Sequence, residues 1–370
     1  MSMKIAKAEA IWVAAPYRSP GPPSGFGGTI WDKVSTLLIR VETEGGLVGW
    51  GEAFGHNAIP ATKAAFEHQI APLVIGRDAT QISSLLVELQ KICHSFGRYG
   101  QSMFALSGLD TALWDIAAKA ANLPLYRLLG GASRTTIPAY ASFLRYGDPE
   151  VVSELCARAV GEGYTAIKLH ERTPECVAAA RDGGGDEFAL MVDTNCPWTV
   201  QEAKQIAWAF EPNDLYWLEE PIWPPENFHG LAELRSEAPM PIAAGENAST
   251  IWEFTQMLNN GAVDYAQPSV AKVGGVTEML KIRSLCETHN IGFAPHSPYY
   301  GPGFLATLHL VAGTSEPVEF LYGLLDAPLY DVFPPVDGNY TLPEGPGLGQ
   351  EPNPDVIRDF PEKDSAAPRR

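Results

Sequence analysis

The stretch AIKLHERTPECVAAARDGGGDEFALMVD, residues 166–193, contains the unit from which the fold is predicted. A short apolar run, AIKLH, is followed by a polar connection and then by a second apolar run, ALMVD, which begins at residue 189. Six similar runs occur elsewhere: IPAYAS from 137, LYWLEE from 215, IAAGE from 242, VDYAQ from 263, IGFAPH from 291 and PVEFL from 317. Helix-like stretches lie between them. Eight strands alternating with helices, at about 25 residues a unit, predict a (β/α) barrel of the α/β class.

A doubly wound parallel sheet is the alternative architecture, but no GxGxxG or phosphate-binding loop follows any of the runs. The first third of the chain differs, because its strands precede its helices, which is typical of an α+β domain. Three strands are predicted there at residues 3–13, 35–42 and 47–52, with the turn TEGG at 43–46. The pattern is then helical from about residue 60 until Gly130 and Gly131 end it.

These patterns divide the chain into three predicted parts. Residues 1–131 form an α+β domain, residues 132–325 form the barrel, and residues 326–370 pack back on the first domain. A long loop rich in glycine and proline, residues 17–33, lies within the first part and contains Trp31. A loop of that length inside a compact domain is typical of a lid or of a disordered insert.

Composition places the chain among globular proteins: 45% of its residues are hydrophobic, 19% are charged, and the formal net charge is −18. Nucleic acids and anionic membranes attract basic surfaces, so neither is an expected partner. No apolar run reaches the roughly 18 residues of a spanning helix, and the first residues lack the pattern of a cleavable signal. Five scattered cysteines without a CxxC pair fit reduced thiols, which predicts a cytoplasmic location.

Polar residues cluster at the carboxyl ends of the apolar runs. The set is Lys168, His170, Asp193, Asn195, Glu219, Glu220, Glu246, Asn247, Ser269, His296 and Glu319. In a (β/α) barrel these strand ends meet at one face, where active sites are assembled. Any one of these residues alone could cap a strand end or lie on a solvated rim. Polar residues at the ends of seven consecutive strands instead favour a shared site. Because alternate side chains of a strand share a face, Lys168 and His170 are expected to point the same way.

Three carboxylates of this set come from successive strands: Asp193, Glu219 and Glu246. Brought together they would repel one another, and a divalent cation would remove that repulsion. Ligation by oxygen alone favours Mg²⁺ or Mn²⁺ over zinc. Glu220 faces the other side of a regular strand and is interpreted as a supporting or salt-bridging group. A metal that faces Lys168 and the two histidines suits stabilisation of the enediolate formed when a proton leaves the carbon α to a carboxylate.

With these residues in view, the chain resembles the enolase superfamily, and within it the mandelate racemase / muconate lactonizing enzyme family. The resemblance covers essentially the whole chain. It rests on ALSGLDTALWDIAAK with the following PL and LLG (105–130), VDTN (192–195), EEP (219–221), GEN (245–247) and KVGG (272–275). Glu246 and His296 favour the mandelate racemase subgroup.

The resemblance implies a TIM-like (β/α)₇β barrel, with an N-terminal capping domain that the C-terminal segment completes. It also implies Mg²⁺ on Asp193, Glu219 and Glu246, a small carboxylate substrate covered by the loops near 17–33 and 51–57, and a homo-oligomer.

Two positions depart from the family pattern. The family usually carries K-x-K on the second barrel strand, where this chain has Lys168 and His170. An imidazole has a pKa near ~6.5, so it is competent as a base at neutral pH, and a lysine beside it favours the neutral ring. His170 is therefore the expected base and Lys168 its electrostatic partner, which also helps to hold the substrate carboxylate. The alternative is that Lys168 is the base and His170 a binding group.

The second departure is Ser269, which stands where the subgroup pairs its seventh-strand histidine with an aspartate. His296 without that partner is a poor second base but remains a competent general acid toward a leaving hydroxide. This favours dehydration of an acid sugar over racemisation. Racemisation or epimerisation of a hydroxy or amino acid is the first alternative, a cycloisomerase of a sugar-acid lactone or anhydro sugar acid the second, and a non-catalytic metal- or ligand-binding barrel the last.

Further residues are predicted to contact the substrate or the intermediate. Glu319, at the end of the last barrel strand, is expected to hydrogen-bond the enediolate or to cap the barrel. Asn195, Asn247, Ser269, His56, Trp31 and Tyr299 are predicted to bind substrate. For His56 the alternative is an exposed loop histidine, and for Tyr299 it is packing of a loop onto the barrel. Specificity lies in loops, so the sequence does not identify the substrate.

Overall fold

The computed structural model describes residues 1–25, 30–95 and 97–362, and its strands form two sheets. The strands of the first region are β1 (Ile5–Arg18), β2 (Lys33–Thr43) and β3 (Val48–Ala53). Those that follow are β4 (Thr136–Ser142), β5 (Ala166–Leu169), β6 (Ala189–Asp193), β7 (Leu215–Glu219), β8 (Ile242–Ala244), β9 (Tyr265–Ala266), β10 (Gly292–Phe293), β11 (Val318–Leu321), β12 (Leu324–Leu325) and β13 (Asn339–Thr341).

The helices of the first region precede β4. They are α1 (Ile59–Ala65), a π turn (Phe66–Ile70), α2 (Ala71–Val74), α3 (Ile82–Ile92), α4 (Gln101–Ala120) and α5 (Leu125–Leu128). The later helices mostly alternate with strands. They are α6 (Pro149–Gly161), α7 (Pro174–Gly184), α8 (Val200–Phe210), α9 (Phe228–Glu237), α10 (Ile251–Asn259), α11 (Gly275–His289), α12 (Pro302–Val311) and α13 (Pro354–Asp359). Short 3₁₀ turns occupy His56–Ala58, Cys93–Ser95 and Glu211–Asn213.

The second sheet is the predicted barrel. Its eight parallel strands run in the order β10-β9-β8-β7-β6-β5-β4-β11, so the first and last barrel strands of the chain are paired neighbours. All eight predicted runs form these strands, which confirms the barrel. The alternation of side chains is also as expected: Ile167 and Leu169 pack outward in the main core, whereas Ala166 packs in the small cluster inside the barrel. Lys168 and His170 follow Ala166 on that inner side.

The first sheet is antiparallel, in the order β12-β1-β2-β3, and α4 lies across it. A side chain at Gly51 would meet the carbonyl oxygen of Gly108 at 1.9 Å, so glycine on β3 is what lets the helix approach so closely. The predicted turn at 43–46 joins β2 to β3, with the amide of Gly46 donating to the carbonyl of Thr43. The α+β arrangement of this region and the three predicted strands are therefore confirmed, with β1 five residues longer at its end.

One expectation for this region is wrong. The helical pattern was expected to continue to Gly130, but α4 ends at Ala120. Asn122 adopts a left-handed conformation (φ 53°), and Pro124 then starts the separate short helix α5. The two glycines follow α5, with φ of 113° and 103°.

Residues beyond β11 contact the first sheet again. The strand β12 pairs antiparallel with β1, and the carbonyl of Phe360 accepts a hydrogen bond from the amide of Ala14. The strand β13 instead pairs with β4 of the barrel. The domain limits at residues 131 and 325 stay predictions. Residues 26–29 of the predicted lid lie outside the described residues.

In the described part of the chain, none of the helices combines the length and the apolarity needed to cross a membrane.

Candidate active site

The carboxyl ends of the barrel strands open into a cavity of about 750 Å³. Its wall contains most of the predicted site residues. Those that line it are Trp31, His56, His170, Asp193, Asn195, Glu246, Asn247, His296 and Glu319. Lys168, Glu219, Ser269 and Tyr299 are not among the lining residues, and each is buried.

Three carboxylates converge at the base of this cavity. Asp193 ends β6, Glu219 ends β7, and Glu246 follows β8 after Gly245. One oxygen from each lies within 4.8 Å of the others. Gly245 has φ 140°, and a side chain there would meet the amide nitrogen of Gln267 at 2.9 Å, so only glycine brings Glu246 into position without strain.

Each carboxylate of this triad contacts a basic side chain. Lys168 Nζ lies 3.0 Å from Glu219 Oε1, His170 Nε2 lies 3.1 Å from Asp193 Oδ2, and His296 Nε2 lies 2.7 Å from Glu246 Oε2. Burial raises the pKa of Glu219 to about 7, opposed by Lys168 and reinforced by the nearby Asp193 carboxylate. Three oxygen ligands that repel one another in a buried site fit a divalent cation of the Mg²⁺ type.

Lys168 is held between carboxylates below the cavity. Besides Glu219, its Nζ lies 2.9 Å from Glu319 Oε1 and 3.7 Å from Asp193 Oδ2, and only 1% of its side chain is exposed. Burial alone would lower the pKa of Lys168, but Glu219 and Glu319 outweigh burial and hold that pKa well above its usual value. Burial would likewise raise the pKa of Glu319, but Lys168 outweighs it and lowers that pKa. Both groups are therefore ionised partners.

The His170 ring is fixed by the main chain. Its Nδ1 is hydrogen-bonded to the carbonyl oxygen of Phe143. A carbonyl oxygen only accepts, so Nδ1 carries a proton, and Nε2 is the atom directed at Asp193 and the cavity. Asp193 Oδ2 is also an acceptor, so Nε2 presents a basic nitrogen to the cavity only when it carries no proton.

His296, three residues after β10, faces the triad from a different part of the barrel than His170. Its Nδ1 is buried and has no hydrogen-bond partner among the described residues. Ser269, which replaces the family's aspartate, is hydrogen-bonded through its hydroxyl to that of Tyr299. The Tyr299 ring in turn meets the His296 ring edge to face, with 6.0 Å between the centroids. The ring is therefore supported by an aromatic contact in place of an aspartate.

The two predicted asparagines and Glu220 surround the triad. The amide nitrogen and the side chain of Asn195 both donate to Asp193 Oδ1 at 2.9 Å. Asn247 donates to Glu220 Oε1 at 2.8 Å, and the Cys196 thiol lies 3.5 Å from Glu220 Oε2. Glu220 is thus turned away from the triad, as expected for a supporting group.

Aromatic residues of the first region form the opposite wall. The ring centroid of His56 lies 4.7 Å from that of Phe54 and 5.3 Å from that of Trp31. His56 has φ 40° at the start of a 3₁₀ turn, and its side chain is exposed to the cavity. Tyr299 lines an adjoining cavity on the far side of this wall. The predicted contacts of all these residues with substrate stay predictions.

Sequence reasoning missed three cations on the cavity wall: Arg145, Arg172 and Lys272. Lys272 Nζ lies over the Phe54 ring at 4.7 Å and 4.0 Å from Glu246 Oε1. Arg145 follows β4 by three residues, and Arg172 follows β5 by the same number. The strand-end rule that identified the triad would have found both arginines if it had been extended into the loops.

Two family models match the chain. Residues 10–130 match the model described as mandelate racemase / muconate lactonizing enzyme, N-terminal domain, and residues 151–356 match the model described as enolase C-terminal domain-like.

Named relatives are similar along most of the chain. The D-galactarolactone cycloisomerase of Agrobacterium fabrum is 33% identical over 358 residues, covering 89% of this chain and 92% of that protein. The arabinonate dehydratase of Saccharolobus solfataricus is 31% identical over 326 residues, covering 85% and 87% respectively. A solved mandelate racemase/muconate lactonizing protein from Paracoccus denitrificans, complexed with magnesium, is 28% identical and superposes with a TM-score of 0.85, covering 96% of this chain and 98% of that one.

Proposed function

Because this chain belongs to the mandelate racemase / muconate lactonizing enzyme family of the enolase superfamily, we propose that it is an acid-sugar dehydratase. It removes the proton α to the carboxylate of a sugar acid and expels the hydroxyl group of the β-carbon. One observation carries the proposal: His170 and His296, from barrel strands that are not neighbours, line one cavity with the carboxylate triad. A base and an acid are thus available at different sides of one bound molecule.

The triad of Asp193, Glu219 and Glu246 would hold Mg²⁺, with Mn²⁺ as a substitute that has the same preference for oxygen. When bound, the cation supplies positive charge that lowers the pKa of the α-proton by stabilising negative charge on the substrate carboxylate. Asn195 orients Asp193 for this task through its two hydrogen bonds to Oδ1.

His170 is proposed as the base. Its Nδ1 proton is committed to the carbonyl of Phe143, so Nε2 accepts the α-proton as the carbon–hydrogen bond breaks. Lys168 supports it as a buried positive charge. The alternative assignment, Lys168 as the base, is disfavoured because its ammonium is paired with Glu219 and Glu319 and does not line the cavity.

His296 is proposed as the general acid. The β carbon–oxygen bond breaks, the leaving hydroxide takes a proton from the His296 ring, and one water is released. The product is an enol that tautomerises to a 2-keto acid, so no oxidant or reductant is needed. His296 Nε2 is directed at the triad, 2.7 Å from Glu246 Oε2, and the ring lines the cavity, which supports this assignment.

A cycloisomerase is the second candidate, favoured by the 33% identity to the D-galactarolactone cycloisomerase. The same α-proton abstraction would precede loss of a ring oxygen in place of a hydroxyl group. The ring opens, no water is released, and the product has the mass of the substrate. Both candidates use the same base and acid, so the product of the reaction decides between them. The expected cytoplasmic location and homo-oligomeric state stay predictions.

The test is a panel of sugar mono- and diacids, their lactones and anhydro sugar acids, incubated with the Mg²⁺-loaded protein. Semicarbazide detects 2-keto acids, and mass spectrometry separates a product that is one water lighter from an isomer. A 2-keto acid formed with loss of water supports the dehydratase; an isomer supports the cycloisomerase.

The same panel in deuterated water covers the remaining alternatives. Deuterium in the substrate and its epimer without elimination would replace the proposal with an epimerase. Bound metal and bound acid with no exchange at all would contradict catalysis by this cavity. The Glu219→Gln variant, which removes one carboxylate of the triad, serves as the inactive control.

A further inference from the structure

Two guanidinium groups, those of Arg145 and Arg172, stand side by side on the cavity wall. Both contact Asn195: Arg145 Nη2 donates to its side-chain oxygen at 2.8 Å, and Arg172 Nη2 donates to its main-chain oxygen at 3.3 Å. Their other contacts are also to neutral oxygens. Arg145 Nε donates to the carbonyl of His170 at 2.6 Å, and Arg172 Nε donates to the carbonyl of Thr194 at 2.8 Å.

These two cations differ from the other basic groups of the cavity. Lys272, His170 and His296 each have a carboxylate oxygen within 4.0 Å. Neither arginine forms an ion pair with any carboxylate in residues 1–25, 30–95 and 97–362, and neither Nη1 has an acceptor there. Burial lowers the pKa of the Arg145 guanidinium, and Arg172 beside it lowers that pKa further. Two neighbouring cations therefore share a pocket without a directly paired carboxylate, although the charges of Asp193 and Glu171 act on Arg145 from farther away.

Their position relative to the triad is fixed by Asn195. Its side-chain nitrogen donates to Asp193 Oδ1 at 2.9 Å, while its oxygen accepts from Arg145. The Arg145 guanidinium is thus linked through the Asn195 side chain to Asp193, one of the carboxylates that would hold the metal. Ser142, at the end of β4, lines the same cavity with a buried hydroxyl that has no partner among the described residues. Donors and a hydroxyl are available to a second anionic group here.

We propose that Arg145 and Arg172 form a subsite for the far carboxylate of a diacid, so that the preferred substrates are sugar diacids. This rests on the proposed function and names its substrate class. The guanidinium Nη1 groups donate to the far carboxylate, and its single negative charge offsets one of the two positive charges. A monoacid with a terminal hydroxymethyl group leaves both cations without a directly paired carboxylate. The expected preference for the diacid is about 10- to 100-fold in affinity, the factor supplied by one or two charge-assisted hydrogen bonds.

The experiment compares matched pairs that differ only at the far end: D-glucarate with D-gluconate, and galactarate with D-galactonate. Dissociation constants are measured by calorimetry on the Mg²⁺-loaded protein, at a temperature and time where turnover is negligible. Binding is read directly, so the subsite is tested even if none of these acids is turned over. Failure of the proposed function and failure of the subsite are thereby distinguishable. A third arm uses 6-phosphogluconate, in which the far anion is a phosphate.

The variants are Arg172→Gln and Arg145→Lys, with Arg181→Gln as the matched control. Arg181, on α7, also donates to main-chain carbonyls, but it lies outside the cavity. We expect Arg172→Gln to weaken diacid binding at least about 10-fold and monoacid binding less than about 2-fold, since only the diacid loses a charge-assisted contact. Monoacid binding that is retained also shows that the variant is folded.

Three results would overturn the subsite. Equal affinity of the wild-type protein for diacids and monoacids would refute it. Equal loss of both ligands in Arg172→Gln would reduce the arginines to a structural role that positions Asn195. Tighter binding of 6-phosphogluconate than of either diacid would assign the pair to a phosphate. A diacid preference that disappears in Arg172→Gln and persists in Arg181→Gln supports the proposal.

Discussion

Replacing Lys168 with methionine should destabilise the protein and at the same time tighten its binding of Mg²⁺. Methionine keeps the length of the side chain and removes only its charge. The ammonium now lies 3.0 Å from Glu219, 2.9 Å from Glu319 and 3.7 Å from Asp193, with 1% of the side chain exposed. Its removal leaves buried carboxylates without their cation.

The magnitude follows from that burial. Breaking a buried ion pair by removing one partner costs about 3–5 kcal/mol, because an uncompensated charge stays in a medium of low polarity. The added repulsion among the three triad carboxylates is relieved when a cation binds there. The variant should therefore gain more stability from added Mg²⁺ than the wild type does, by the usual linkage between binding and folding.

The assay is urea unfolding followed by tryptophan fluorescence, first with chelator and then over a Mg²⁺ titration. Arg18→Met is the matched control, because the Arg18–Asp326 pair is exposed and should leave the free energy of unfolding nearly unchanged. The double variant Lys168→Met/Glu319→Gln should be more stable than Lys168→Met alone, since it carries one buried charge fewer. A loss below about 1 kcal/mol, the range of an exposed pair, would refute the argument. Weaker Mg²⁺ binding by the variant would refute the electrostatic part of it.

Three further outcomes are expected. In deuterated water His170→Asn should slow both exchange of the α-proton and elimination by about 100-fold or more. His296→Asn should lose elimination but keep exchange of the α-proton. Loss of both reactions in each variant would contradict the separate roles. Glu219→Gln should lose Mg²⁺ binding measured by calorimetry, whereas the neighbouring Glu220→Gln should retain it, because Glu220 faces Asn247 and Cys196. Burial lowers the pKa of His309 to about 4. Below pH 6.5 the unfolded chain therefore binds a proton that the folded chain does not. For this reason the free energy of unfolding should fall by about 3 kcal/mol between pH 6.5 and pH 4. In urea titrations the His309→Gln variant should lose most of this dependence of the free energy of unfolding on pH. An unchanged pH dependence would show that it does not come from His309.

The sequence was sufficient for the barrel and for the triad, and the reason is local. A short apolar run that is buried on both faces has few alternatives to a parallel strand, and its last residue then lies on the functional face by topology alone. Asp193 and Glu219 end their strands, and Glu246 follows its strand through Gly245.

Contacts between distant strands were not available from the sequence. The pairing of Lys168 with Glu319 depends on β5 and β11 both flanking β4, and the hydroxyl bond between Ser269 and Tyr299 depends on a loop conformation. Arg145 was missed because it lies in a loop, where position along the chain does not fix direction in space.

The pairing of β1 with β12 has a consequence for how the protein is made. Arg18 on the outer edge of the first sheet meets Asp326, a residue that is synthesised 308 positions later. Further along the same edge, Val13 is bridged by Pro361. While the chain is being translated, this edge has no partner of its own, and an unpaired edge is a template for pairing with other chains. The newly made first region therefore depends on slow, long-range pairing of β1 with the C-terminal residues. Chaperone binding to β1 during synthesis is expected to affect the yield of folded protein more than the stability of the finished fold.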